Sequence, residues 1–212
     1  MFFKHLFLWV AICFAIMLAV PIIATPSDMW QNARVELQMI NGAFGSHDTA
    51  QISSGATSVY NAIFVSTGLI ETTQRARVSQ DERELGEAVI GSPSRILTGL
   101  SNNYIDTFGA LTYVVVLRLL IMLSWLPFIL PFLAGAVGEG ISRRRIKYAT
   151  FGQYGAALYA GAAHLSVLVI VLPVLYFMAP FPVTPYFVPF WALVAALPIV
   201  VSVANASQIL PK

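Results

Sequence analysis

Few side chains in this sequence are equipped for chemistry, and those few stand in apolar surroundings. Ser124 lies in IMLSWLP, His164 in GAAHLSV and Arg118 in VVVLRLLI. A serine hydrolase would need a base within hydrogen-bond reach of the serine and a third group to orient that base. No nucleophile-elbow glycines flank Ser124, and no carboxylate lies in the apolar runs to complete a triad. His164 could shuttle protons, but one histidine without an acidic partner makes no relay, so it reads as a neutral packing residue. Arg118 is different, because an arginine at membrane depth is a functional hypothesis in itself. With no Asp or Glu inside any apolar run, the expectation is that its guanidinium snorkels to the headgroups or bonds helix carbonyls. Contact with another chain and capture of a ligand are the alternatives. There is no phosphate loop, no HExxH and no Cys/His ligand pair. The single cysteine, Cys13, excludes an internal disulfide framework. The reading is of a protein that is not an enzyme and that has no catalytic residue, no metal and no cofactor.

Two further groups point to contacts. Arg143, Arg144, Arg145 and Lys147 form the densest positive cluster in the chain. Such a cluster fixes topology, and it could also meet an acidic cytosolic partner or anionic lipid. Gly152, Ala156 and Ala160 recur every four residues, with Gly161 beside them and His164 further along the same strip. Small residues at this spacing let two helices approach closely, within the chain by preference or between copies in a homo-oligomer.

The elements that must position these groups follow from composition. Of 212 residues, 58% are hydrophobic and 10% charged, where a soluble domain has about 25% charged residues. The mean hydropathy is +0.75. Too few charges remain to cover a water-facing surface, and disorder needs the opposite composition. A net charge of +2 gives no electrostatic footprint for nucleic acid. Four apolar runs are long enough to span hydrocarbon: Leu6 to Ala24, Ala110 to Val137, Ala156 to Met178 and Phe187 to Ala204. None alternates as a barrel strand would. The first follows Lys4 and His5, which is also how a signal peptide begins, but Ile22 and Ala24 make a poor cleavage site and an uncleaved anchor is expected. The last two runs, joined by APFPVTP, read as a helical hairpin. Repeated halves and a polar midplane site, the marks of a transporter, are missing.

The expected fold is thus an all-α membrane protein with four transmembrane helices. Residues 1–24 would be the anchor, 25–108 a helical outer segment, and 109–212 a three-helix region with a basic loop at 138–155. The arginine cluster should stay in the cytoplasm, which puts both termini inside and 25–108 outside. In that outer segment Thr25, Pro26 and Asp28 carry helix-start chemistry. Met29, Trp30, Ala33, Leu37 and Ile40 then make one apolar stripe, and Ile52, Ala56, Val59, Ile63 and Ile70 a second. Ile96, Leu97, Leu100, Tyr104 and Phe108 make a third, on a helix expected to start near Ser94 and to run on across the membrane.

The string EGISRRRIKYATFGQYGAALYAGAAHL resembles the inner-membrane proteins encoded in integrating conjugative elements and related conjugative plasmids. The resemblance rests on Glu139, Gly140, Arg143, Arg144, Ile146, Lys147, Phe151 and Tyr154, within a layout of one anchor, an outer helical segment, a long helix and a hairpin. It implies a bacterial inner-membrane location and a part in conjugative DNA transfer by a type IV secretion system. The implied partners are the coupling-protein ATPase, other conjugation membrane subunits and membrane lipids, with no direct contact to nucleic acid. An exclusion protein of the recipient membrane and a small permease are the alternative functions.

Overall fold

The computed structural model describes residues 2–64, 66–68, 72, 88, 92–150 and 155–206. Among these residues there are six helices and no strand. They are α1 (Phe2–Ile23), α2 (Pro26–Phe44), α3 (Ser46–Phe64), α4 (Ser92–Ala149), α5 (Ala156–Met178) and α6 (Phe187–Asn205). Three of them, α4, α5 and α6, are long and apolar enough to cross a membrane. The number rises to four if α1 and α2, bent by 108° at their junction, count as one broken span.

The bend between α1 and α2 has a local cause. Pro26 opens α2, where its missing N–H costs nothing. Thr25 is the N-cap, and its box with Asp28 is closed. The Thr25 hydroxyl donates to Asp28 Oδ2 at 2.6 Å and the Thr25 amide donates to the same oxygen at 3.1 Å. These two donors hold the Asp28 carboxyl below its ordinary value, the hydroxyl contributing more. The Thr107 hydroxyl of α4 donates to Asn103 of its own helix at 2.7 Å and lies 3.4 Å from the Ala24 carbonyl, so the residue after α1 sits against the long helix. Val20, Ala24, Met29, Ala110 and Leu111 pack together there.

Only Gly45, at φ 86°, separates α2 from α3, a single residue that needs glycine's freedom. The two helices pack on each other. Rings join them to α4: Trp30 lies 5.2 Å and Tyr60 5.7 Å from Tyr113, and Tyr60 stacks on Phe64 of its own helix at 4.7 Å. Of the second expected stripe, Ile52 and Ala56 are buried while Val59 and Ile63 are exposed, and Ile70 lies outside the described residues.

At 58 residues α4 spans roughly 87 Å at the usual rise, nearly three hydrocarbon thicknesses. It begins at Ser92, close to the expected start. It does not stop where the apolar run stops. The stretch expected as a basic loop from 138 is helical to Ala149, because its Arg, Lys, Ile and Ala residues sustain a helix and no proline interrupts them.

Two compact units are present. One gathers Phe7–Ile121 with Tyr176–Pro185; the other gathers the rest of the described chain. In the second, α4 and α6 meet at Gly140. A Cβ there would lie 2.7 Å from Val203 Cβ and 3.1 Å from the Val200 carbonyl oxygen. Lys147 donates to Asn205 Oδ1 at 2.6 Å, and the Gly155 amide donates to the same oxygen at 3.3 Å. Asn205 therefore fastens the end of α6 to the end of α4 and to the residue before α5.

Two outcomes are expected. The capping box stabilises α2 fully above the ordinary aspartate range, and that support is lost as pH falls through the lowered Asp28 value. Asp28→Asn should flatten this dependence below pH ~4, measured by amide exchange in α2. Gly140→Leu should cost about 1–3 kcal/mol through overpacking, read as a lower thermal midpoint in detergent. Gly138→Leu, at a position where a Cβ would meet no atom within 4 Å, should not lower the midpoint, since leucine is also the better helix former.

Candidate functional site

The polar centre of the first unit is built on α2, α4 and the segment that follows α5. The face α2 turns inward consists of Met29, Asn32, Ala33, Glu36 and Ile40. This is nearly the expected stripe, with a difference that matters. Trp30 and Leu37 lie toward its edges, and Asn32 and Glu36 take the interior places. Glu36 is fully covered by protein, and so is Arg118 of α4.

These two side chains form a buried ion pair. Arg118 Nη2 lies 2.6 Å from Glu36 Oε1. Arg118 Nε donates to Oε1 at 3.0 Å and to Oε2 at 3.2 Å. The rest of the guanidinium is spent on backbone carbonyls at the end of α5 and just beyond. Nη1 donates to Tyr176 at 2.7 Å, Ala179 at 2.9 Å and Phe177 at 3.2 Å, and Nη2 to Phe181 at 2.7 Å. The Tyr176 ring faces the guanidinium, 5.5 Å from ring centre to Cζ. On the other side, Glu36 Oε1 accepts the Val183 amide at 3.0 Å, and Asn32 Nδ2 donates to the Pro180 carbonyl at 2.9 Å.

The arrangement solves two problems at once. The last carbonyls of a helix have no partner within the helix, and in an apolar setting each one left bare is costly. Arg118 satisfies those of α5, and its positive charge suits the negative end of the helix dipole. Glu36 then balances the charge and takes the amide of the segment folding back. All five donors of the guanidinium are used inside the chain. The site is thus a clamp that holds α2, α4 and the APFPVTP segment together, with no donor left over to bind a ligand.

Arg118 therefore bonds helix carbonyls and does not snorkel. Its acidic partner lay outside the apolar runs, where a search confined to those runs could not find it. A signal for it exists in the sequence: Met29, Ala33, Glu36 and Ile40 follow helical spacing, so a carboxylate sits in the middle of an apolar face. A carboxylate in that position asks for a buried cation.

The other expected residues are placed as follows. Ala156, Ala160, Gly161 and His164 are exposed on α5, and no neighbouring atom stands within 4 Å of where a Cβ would extend from Gly161. Gly152 lies outside the described residues. Arg143 donates to Glu139 at 2.7 Å in an exposed pair one turn apart. Lys147 is engaged with Asn205. Arg144 is half-buried and Arg145 exposed. Among the described residues no group of three or more His, Cys, Asp or Glu side chains gathers to hold a metal ion.

Comparison with known proteins adds one match. Residues 25–210 fit the model of a family described as IncC plasmid conjugative DNA transfer protein DtrJ-like. No curated protein and no solved structure matches the chain.

The clamp makes a direct prediction. Removing one partner leaves an uncompensated buried charge, so Glu36→Ala and Arg118→Ala should each cost about 3–5 kcal/mol. Because both break one unit, the double variant should cost clearly less than the sum of the two. Thermal unfolding of the four proteins in detergent checks this, and strict additivity would refute the clamp.

Proposed function

The chain belongs to the DtrJ-like family of conjugative DNA transfer proteins, and from that membership we propose a more specific role. It is a non-enzymatic inner-membrane subunit of a conjugative type IV secretion system, and it binds the coupling-protein ATPase that delivers DNA to the channel. The observation that carries this reading is the extent of the family match, which takes in every helix except α1. A scaffold role fits the clamp, whose charges are spent on holding helices in place. It also fits the exposed strip on α5, which is available to helices of other subunits.

The topology that goes with this role has four crossings, by α1, α4, α5 and α6. Both termini and the arginine cluster lie in the cytoplasm, and α2 and α3 in the periplasm. Two observations support it. The bonds from Asn32 and Glu36 to Pro180 and Val183 group α2 with the turn of the α5–α6 hairpin, as they must if both are periplasmic. The four cations of the 143–147 stretch obey the positive-inside rule.

Deleting the gene from a donor should lower transfer by orders of magnitude, and the wild-type chain supplied in trans should restore it. Detergent pull-down of the tagged chain should recover the coupling-protein ATPase. Unchanged transfer from the deletion donor would overturn the proposal. A fall in uptake when the chain is expressed only in recipients would replace it with an exclusion role.

A further inference from the structure

The end of α4 plays no part in the clamp, and its four cations are not equivalent. Arg143 is offset by Glu139. The Lys147 ammonium is held against Asn205. Among the described residues neither Arg144 nor Arg145 has an acidic side chain within ion-pair distance. Among the described residues these two guanidinium charges are not offset by a carboxylate.

What surrounds them selects the partner. Ile141, Arg145 and Tyr148 are spaced four and then three residues apart, so they share one helical face, with Arg144 beside it. Tyr148 is 68% exposed and Ile146 61%, and Ile141 is exposed too. A surface in contact with water gains nothing from bare isoleucine and tyrosine next to bare arginine. The headgroup layer of a bilayer suits all three. Apolar side chains reach toward the acyl boundary, a tyrosine ring sits at headgroup level, and cations meet lipid phosphates. The apolar run of the same helix ends at Val137, about one turn before Ile141, which is where that layer begins.

We propose that Arg144 and Arg145, flanked by Ile141 and Tyr148, form a binding site for anionic phospholipid headgroups. The ligand class is a lipid phosphodiester carrying net negative charge. The proposal rests on α4 crossing the membrane; it does not depend on the coupling-protein partnership.

The test uses the full-length chain purified in mild detergent and offered equal amounts of phosphatidylglycerol and phosphatidylcholine, with retained lipids counted by native mass spectrometry. The wild type should retain phosphatidylglycerol in preference. Each arginine near an anionic surface is worth about five-fold in binding, so R144Q/R145Q should lower the preference roughly thirty-fold. R144K/R145K, which keeps the charges, should retain most of it. Thermal unfolding shows whether each variant is folded, and Gly138→Leu serves as a folded control with unchanged lipid preference. Equal retention by wild type and R144Q/R145Q would overturn the proposal. So would displacement of phosphatidylglycerol by a short DNA duplex or an acidic peptide at equal charge concentration, which would assign the arginines to those ligands. Pull-down of the ATPase is scored separately, so failure of that partnership leaves the lipid result readable.

Discussion

An arginine enclosed by protein among apolar helices has to be satisfied completely, and much of the first unit follows from that requirement. A guanidinium needs a counter-charge and five acceptors. Arg118 finds the counter-charge on α2 and most of the acceptors at the end of α5 and just beyond. For this to happen α2 must lie against α4 with its Glu36 edge inward, which in turn needs the sharp bend at Thr25. The chain after Met178 must also curl back over the same point, bringing the Val183 amide to the carboxylate. Well-packed apolar residues in place of such a pair often stabilise a fold as well or better. What the pair adds is position, because a guanidinium with five fixed directions tolerates very few arrangements of its neighbours.

Much of this was legible before the structure. The helical class, the apolar runs, the Thr25–Asp28 box and the continuity of the outer helix with the long span all follow from local chemistry or from period, and the structure has each of them. The likeness to conjugative membrane proteins, read from the 139–154 stretch, agrees with the family match. The Arg118 partner was hidden for a physical reason. Residues 36 and 118 come together only through tertiary packing, and no local rule relates residues so far apart. The basic stretch was misjudged for another reason. Charge by itself does not end a helix, and α4 continues for about three turns past the apolar run, to Ala149. Asn205 joins three chain segments, and no local pattern points to it.

The polar side chains divide by task. Those that are buried or half-buried, Asn32, Glu36, Arg118, Lys147 and Asn205, bond other parts of the same chain. Arg144, half-buried, and Arg145, exposed, have no acidic partner among the described residues and can reach contacts beyond it. The scaffold role proposed above needs this division. Its internal bonds must not compete with its external ones, and a partner that docks must not loosen the fold.

The clamp also has a consequence for how the protein is made. Its two charges and the amide that completes it are supplied by residues 36, 118 and 183, and synthesis delivers them in that order. While the ribosome is still producing α5, Arg118 already has Glu36 available but lacks the carbonyls that finish its shell. Closure waits until the segment beyond Met178 has emerged from the exit tunnel. Until then the guanidinium on the long helix is incompletely served, and the final seating of that helix against its neighbours is a late event set by the arrival of the hairpin. A nascent chain cut short before that point would keep a guanidinium whose carbonyl partners had not yet been made.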